Sequence, residues 1–113
     1  MTTKQIIKKP LPECPIETTL TLIGNKWTIL ILRDLLPGTK RFSELKKSVG
    51  SISQKVLTAQ LRKMEENGLL TRTVYPEIPP RVTYTLTELG QSLQMVLDVM
   101  KIWGEQFQEN YDK

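Results

Sequence analysis

The middle of the chain, residues 43–86, has the sequence SELKKSVGSISQKVLTAQLRKMEENGLLTRTVYPEIPPRVTYTL. Its spacing predicts a short helix, a turn at residues 50–51 and a second helix that ends at Gly68. The β-branched and aromatic stretches that follow, residues 69–75 and 81–86, flank a proline-rich connector and predict a β-hairpin. Two helices across a tight turn, followed by a hairpin, are the winged helix-turn-helix arrangement.

Each helix of this segment has a predicted start signal. Ser43 and Ser53 are serines that directly precede apolar-periodic stretches, so we expect both to act as N-caps. In the second helix, three apolar residues recur at i, i+4 and i+7 and should face the core. They are Leu57, Leu61 and Met64.

The flanking sequence predicts further helices around this unit. Residues 1–13 contain two prolines and no periodicity, and we expect an N-terminal arm there. Helices are predicted from about residue 15 to a break at Gly24-Asn25, from about 26 to an end at Pro37-Gly38 and from 88 to 111, with a short strand at 39–42. The expected fold is mainly α with a small β-hairpin, in which a winged helix-turn-helix is flanked by N- and C-terminal dimerisation helices. We expect one domain over residues 14–113, with 43–68 as the helix-turn-helix, 69–86 as the wing and 87–111 as the dimerisation helix.

Composition narrows the class of protein. The 113 residues suit a single domain, and no apolar run approaches the roughly 18 residues that span a bilayer. The polar, lysine-bearing N-terminus does not resemble a secretory signal, so we expect a cytoplasmic protein. A single cysteine, Cys14, permits no internal disulfide and suits a reducing compartment.

Charge is distributed unevenly along the chain. Residues 40–63 carry seven basic side chains and one acidic one, whereas residues 87–113 carry two basic and five acidic ones. A short basic stretch in a modestly basic chain is typical of a surface that faces phosphates, although a solvated charged helix face gives the same pattern.

The second helix of the central segment offers a candidate DNA-reading face. Glutamine pairs bidentately with adenine and lysine or arginine with guanine, threonine contacts phosphate or a thymine methyl, and alanine permits close approach. The helix N-terminus adds backbone N–H groups for a phosphate. Basic residues upstream of this helix should bind DNA phosphates on either side of the groove. An arginine at the wing base is a further candidate for contact with the minor groove or its phosphates. The predicted DNA-binding residues are Lys40, Arg41, Ser43, Lys46, Lys47, Ser53, Gln54, Lys55, Thr58, Ala59, Arg62 and Arg81.

The predicted last helix is more apolar than a lone surface helix requires. One stripe can cover the domain's own core, while a second apolar face needs another partner, for which a second copy of the chain is the simplest candidate. A single wide stripe facing one core is the alternative. The predicted dimer interface comprises Leu93, Val96, Val99, Met100, Trp103 and Phe107.

Enzymatic chemistry is poorly provided for. The chain has no histidine, which removes histidine-based general base catalysis and most zinc sites. With one cysteine and no glycine-rich phosphate loop, we expect no catalytic site, metal or cofactor.

Taken together, several stretches resemble the HxlR family of bacterial winged-helix regulators, a relative of the MarR group. The matching motifs span roughly residues 12–107 and are CPI at 14–16, GNKW at 24–27, RFSEL at 41–45, ISQKVLT at 52–58, residues 61–70 and PRVTYTLTELG at 80–90. The resemblance implies a homodimer that binds a pseudo-palindromic operator. It also implies that some members sense oxidants or electrophiles through a cysteine at the position of Cys14.

Two questions stay open at the level of sequence. Cys14 before Pro15 lies at a predicted helix start, where a thiolate is favoured, but a buried, inert thiol is equally compatible with the sequence. The winged helix itself also suits protein–protein or RNA contact, and a small effector at the dimer interface is a further alternative. Trp27, Trp103 and Phe107 are candidates to line such a pocket, although their spacing favours a place in the core.

Overall fold

A computed structural model describes residues 10–111, so most of the predicted N-terminal arm lies outside the described residues. Its elements are α1 (Pro15–Ile23), α2 (Lys26–Leu35), β1 (Lys40–Arg41), α3 (Phe42–Val49), α4 (Gln54–Glu66), β2 (Leu70–Tyr75), β3 (Arg81–Leu86), α5 (Glu88–Ser92) and α6 (Gln94–Tyr111). The predicted architecture, mainly helical with a small hairpin, is confirmed. Within residues 10–111 no helix has the length and apolarity needed to cross a membrane.

The helix ends follow from local capping chemistry. Ser53 is the N-cap of α4, as predicted, and its hydroxyl accepts a hydrogen bond from the Val56 N–H at 3.1 Å. Gly68 follows α4 with a φ of 75°, a left-handed conformation that glycine adopts without steric cost. The prediction that Ser43 is an N-cap is wrong. The cap of α3 is Arg41, whose N–H donates to Glu44 Oε1 at 2.8 Å, because pairing in β1 keeps Arg41 extended until the helix begins.

The sheet has three antiparallel strands in the order β1-β3-β2. The hairpin register pairs Leu70 with Leu86 at its base and Tyr75 with Arg81 at its far end. The third strand, β1, pairs Lys40 with Tyr84 and thereby joins the segment before α3 to the wing. The short strand predicted at 39–42 is therefore confirmed, and pairing with β3 fixes it.

One hydrophobic core lies between the helices and the sheet. All three predicted anchors of α4 are buried in it. A hydrogen bond from Thr28 Oγ1 to Gln60 Oε1, at 3.2 Å, also ties α2 to the inner side of α4. The buried apolar residues are Ile23, Ile31, Leu32, Leu35, Leu45, Val49, Ile52, Leu57, Leu61, Met64, Leu69, Leu70, Tyr84 and Leu86. The inner face of α4 is consequently packed against the rest of the domain.

The prediction of one continuous helix over residues 88–111 is wrong, because two helices meet at Leu93. The first of them, α5, is capped by Thr87, whose hydroxyl accepts a hydrogen bond from the Gly90 N–H at 3.1 Å. Gly90 is buried, and its backbone lies directly against the Leu69 carbonyl oxygen. This close packing fixes α5 to the base of the wing, and the chain then turns at Leu93 into the longer α6.

Candidate nucleic-acid interface

The connection between α3 and α4 sets the direction of the second helix. Gly50 has a φ of 102°, so a residue with a side chain would be strained at this corner. Ile52 is buried beneath the turn, and the capping hydroxyl of Ser53 then starts α4. The first turn of α4 is therefore held outward at the surface, which is the position that a recognition helix requires.

Helix α4 presents two chemically different faces. The inner face buries its apolar anchors, while the outer face is exposed along most of its length. Five predicted contact residues lie together in one shallow surface depression: Gln54, Lys55, Thr58, Ala59 and Arg62. The structure thus brings the predicted reading residues onto a single continuous face of the helix.

A second groove, with a volume of about 380 Å³, separates α4 from the sheet. Thr58 and Arg62 line its helix side, and Arg72 and Tyr84 line its strand side. Arg72 was missed by the sequence reasoning. No signal in the sequence marks it, because only the register that pairs Arg72 with Tyr84 puts both on the face that looks toward α4.

The cations of this surface form no ion pair within residues 10–111, although Glu65 lines the same groove as Arg62 and Arg72. Within residues 10–111 the ion pairs are Arg33–Asp34, Glu77–Arg81 and Lys101–Glu105, and none involves α4. Both Lys55 and Arg62 are exposed. Their charges therefore project from the face unpaired with any acidic group in the described part of the chain.

The predicted phosphate clamp lies on β1 and α3, ahead of the turn. Arg41, Ser43 and Lys47 are exposed, whereas Lys40 and Lys46 are partly buried. All of these residues precede the N-terminal end of α4 in the sequence.

Helix α3 is fastened to α2 by a polar contact. Asp34 Oδ2 accepts a hydrogen bond from the Ser48 hydroxyl at 2.7 Å, and Asp34 Oδ1 pairs with Arg33 Nε at 2.7 Å. Partial burial raises the pKa of Asp34, but the hydrogen bonds from Arg33 and Ser48 outweigh it and the pKa lies below its ordinary value. The ionised carboxylate is therefore the form that holds α3 in place.

Arg81, predicted at the base of the wing as a DNA-contacting residue, lies instead at the far end of the hairpin, where it pairs within the wing. Its Nη2 pairs with Glu77 Oε2 at 2.8 Å, and its guanidinium carbon lies 3.8 Å from the centroid of the Tyr75 ring. The hydrogen bond from Arg81 holds the pKa of Glu77 below its ordinary value. Arg81 also alternates with Val82, which faces the groove, so its side chain lies on the other face of the sheet.

Helix α6 contains no buried residue. Leu93, just before α6, and Val96, in its first turn, pack partly against the domain's own core. The predicted interface residues farther along α6 are exposed. Trp103 has 65% of its surface exposed and stacks on Phe107 with ring centroids 5.5 Å apart. The expectation that Trp103 and Phe107 belong to the core of the single chain is therefore wrong.

A second apolar surface lies on α1. Ile16 and Leu20 lie at helical spacing and are 72% and 56% exposed. The N-cap of this helix is Cys14, whose thiol is exposed and makes no capping hydrogen bond. The interpretation of Cys14 as a buried residue is therefore wrong.

Comparison with known proteins agrees with this architecture. The family model of the HxlR-like helix-turn-helix matches residues 22–112. The HTH-type transcriptional regulator YdeP of Bacillus subtilis (strain 168) is 47% identical over 100 residues, which cover 88% of this chain and 78% of the relative. YodB, an HTH-type transcriptional regulator of the same organism, is 43% identical and covers 88% of this chain and 89% of its own length.

Solved structures give the same result. The redox regulator HypR in its oxidised form superposes with a TM-score of 0.77 at 44% identity, covering 82% of this chain and 96% of that one. The reduced form of YodB from B. subtilis superposes with a TM-score of 0.73 at 42% identity, covering 85% of this chain and 95% of that one. On both sequence and fold, the chain belongs to the HxlR-like helix-turn-helix family of transcriptional regulators.

Proposed function

We propose that the protein binds duplex DNA sequence-specifically, as a homodimer on a pseudo-palindromic operator, with α4 in the major groove. The observation that carries the proposal is the outer face of α4. Five of the predicted DNA-contacting residues form one exposed surface there, while the opposite face of the helix is buried in the core. A major groove admits one α-helix, and Gln54, Lys55 and Arg62 supply the side-chain chemistry that distinguishes base edges within it.

The basic residues before the turn serve a different purpose in this proposal. Arg41 and Lys47 are exposed on β1 and α3, and they are placed to contact phosphates beside the groove. Phosphate contacts fix the register of the protein on the duplex without carrying sequence information. Arg72 joins them as a further candidate cation, since it lines the groove between α4 and the sheet.

The proposed dimer rests on the uncovered surface of α6. Val99 is 64% exposed and Trp103 65%, and Phe107 stacks between Trp103 and Tyr111 along the same helix. Large apolar side chains in such a row indicate an interface that is covered in the working protein. A two-fold dimer would present two reading helices about one DNA turn, ~34 Å, apart.

The dimer is tested by sedimentation at micromolar concentration. Trp103→Glu places a charge in the proposed interface at an already exposed position, so it should yield a folded monomer. Lys101→Gln, on the opposite side of α6, serves as the matched control and should leave the sedimentation unchanged. A wild-type protein that sediments as a monomer contradicts the proposal.

Selection of binding sites from random duplexes tests DNA binding directly. With the selected operator, Gln54→Ala should weaken the binding free energy by about 1–3 kcal/mol. It should also relax the base preference at one position of each half-site. Lys47→Ala should weaken all sequences alike and lower the salt slope by about one for each phosphate contact removed. Lys101→Ala, which lies away from the proposed interface, is the control.

The opposite result has a definite meaning. If the wild-type protein has no affinity for any duplex at low salt, the winged helix serves protein or RNA contact instead.

A redox response through Cys14 is a second part of the proposed function. The thiol is exposed at the N-terminal end of α1, next to the exposed apolar face of that helix. Two of the structural neighbours, HypR and YodB, are a redox regulator and a regulator solved after diamide treatment. With one cysteine in each chain, an intersubunit disulfide would have to join Cys14 to Cys14.

Operator binding with and without diamide tests the redox proposal. Cys14→Ser should bind the operator as the wild type does and lose the response to the oxidant. An unchanged oxidant response in Cys14→Ser would remove Cys14 as the sensor.

A further inference from the structure

Helices α2 and α4 meet through an apolar contact that contains one buried hydroxyl group. Thr28, in the first turn of α2, is 5% exposed, and its Oγ1 donates a hydrogen bond to Gln60 Oε1 at 3.2 Å. Within residues 10–111 this is the only side-chain hydrogen bond that joins α4 to another helix. The other buried residues of the two helices are apolar: Ile31, Leu32 and Leu35 on α2, and Leu57, Leu61 and Met64 on α4.

The surroundings of the two partners differ. Asn25 caps α2, and its Oδ1 accepts a hydrogen bond from the Trp27 N–H at 2.8 Å, so the backbone that carries Thr28 is fixed. Gln60 is only partly buried, and it lines a cleft of about 240 Å³ between the α1–α2 turn and α4. The buried hydroxyl of Thr28 therefore relies on Gln60, whereas Gln60 also has access to solvent through the cleft.

Apolar packing by itself defines the rotation of α4 about its own axis only loosely. The free energy of burial depends on the area removed from water and has no direction, so a small rotation changes it little. A hydrogen bond weakens steeply as its angle departs from linearity. In coiled coils, a single buried polar pair fixes the register of an apolar helix contact for this reason. The bond between Thr28 and Gln60 therefore selects one rotation of α4 against α2.

This rotation matters because the reading side chains lie on the opposite side of the helix from Gln60. Thr58 and Arg62 are each two residues away from Gln60, which is about 200° around an α-helix. Both line the groove that faces the sheet, whereas Gln60 bonds to α2. With side chains an α-helix has a radius of about 5–6 Å, so a rotation of about 20° moves the reading side chains by about 2 Å. Donor–acceptor distances of hydrogen bonds span only about 0.5 Å, so such a shift breaks a base contact.

We infer that Gln60, held by Thr28, is a positioning residue that sets the rotation of α4 and thereby the sequence specificity of the protein. Neither side chain contacts DNA, because both lie between α4 and α2 on the inner side of the reading helix. This inference rests on the proposed DNA binding by α4. Specificity then depends on a residue behind the reading face as well as on the residues within it.

Specific and non-specific binding respond differently to the rotation of α4. Non-specific affinity comes from phosphate charge, which the long basic side chains reach over a range of helix orientations. Base contacts require a defined position of each side chain. Loss of the bond between Thr28 and Gln60 should therefore lower affinity for the operator. It should leave the affinity for an unrelated duplex, and the salt slope of that affinity, unchanged.

The test measures the affinity of full-length variants for the selected operator and for an unrelated duplex of the same length. Gln60→Met and Thr28→Val each remove one partner at similar size, and the preference for the operator should fall about tenfold, on the order of one good base contact. Thr28→Ser keeps the hydroxyl and should retain the preference to within about threefold. The double variant should lose no more preference than either single variant, because both changes remove the same bond.

Ile31→Val is the matched control for a loss of stability. Ile31 is fully buried on the same helix as Thr28, so its truncation should lower Tm without removing the hydrogen bond. The preference of Ile31→Val for the operator should equal that of the wild type. If the control loses as much preference as Thr28→Val, general destabilisation explains the effect and the inference is overturned.

The remaining outcomes separate the inference from the proposed function. Wild-type preference in both Gln60→Met and Thr28→Val overturns the inference and leaves DNA binding by α4 intact. An equal loss on both duplexes, or a changed salt slope, also overturns it, because the loss would then lie in the phosphate contacts. Failure of the wild-type protein to bind any duplex overturns the proposed function, and the inference falls with it.

Discussion

Gly90→Ala tests whether α5 is locked to the base of the wing. A Cβ built on Gly90 collides with the Leu69 carbonyl oxygen and lies 3.1 Å from Leu86 Cδ2. The Leu69 carbonyl cannot withdraw freely, because it accepts a hydrogen bond from the Thr87 N–H at 3.0 Å. The added methyl group must therefore displace backbone rather than rotate a side chain aside.

The size of the effect follows from opposing contributions. Alanine favours a helix over glycine by about 1 kcal/mol. Overpacking against well-fixed surroundings costs about 1–3 kcal/mol, and weakening the Thr87–Leu69 hydrogen bond costs about 1 kcal/mol more. We expect Gly90→Ala to lower the free energy of unfolding by about 1–3 kcal/mol. With about 2.1 cal/mol/K of unfolding entropy per residue, a loss of 1 kcal/mol lowers the Tm of a chain of 113 residues by about 4 °C, so Tm should fall by roughly 4–13 °C.

The assay is thermal unfolding followed by circular dichroism. All proteins must be compared at one concentration, because the proposed dimerisation would make Tm depend on concentration. Gln91→Ala, at the next and exposed position of α5, is the control and should stay within about 0.5 kcal/mol of wild type. A Gly90→Ala protein that melts at or above the wild-type temperature would refute the close approach of Gly90 to Leu69.

Three further expectations concern the helix-turn-helix itself. Ser53→Ala removes the cap of α4 and should cost about 1 kcal/mol, measured as a lower midpoint in urea. Leu61→Ala empties a site that is 1% exposed and should cost about 2–5 kcal/mol in the same assay. Asp34 has a pKa lowered by folding, so its stabilising contribution is complete above the ordinary carboxyl pKa and is lost as the pH falls through the lowered value. The wild type should therefore lose more stability across that acidic range than Asp34→Asn, and parallel pH profiles for the two proteins would count against the role given to Asp34.

Local signals were sufficient wherever a short stretch of chain determines its own conformation. The serine cap at residue 53 and the left-handed glycine at residue 68 bound α4 as predicted, because both act within a few residues. The hairpin strands 70–75 and 81–86 also lie where β-branched residues alternate around a proline-rich connector. The candidate reading face was predictable for the same reason, since helical periodicity alone separates it from the buried anchors.

Features that depend on contacts between distant segments could not be predicted. Ser43 has the composition of a cap, yet pairing of β1 with β3 moves the start of α3 to Phe42. Arg81 looks like any exposed cation in the sequence, and only the folded hairpin brings it onto Glu77 and Tyr75. Arg72 becomes part of the surface through its register with Tyr84, which the sequence does not specify.

The apolar helices show the same division most clearly. Periodicity correctly gave α1 and the terminal segment their helical conformation and their apolar stripes. It could not say which stripe is covered, because burial depends on what packs against a helix and not on the helix itself. The sequence by itself determined the helix-turn-helix, the wing and the chemistry of α4. Only the tertiary structure decided that Trp103 and Ile78 are left uncovered, because the single core is already filled by residues from the other elements.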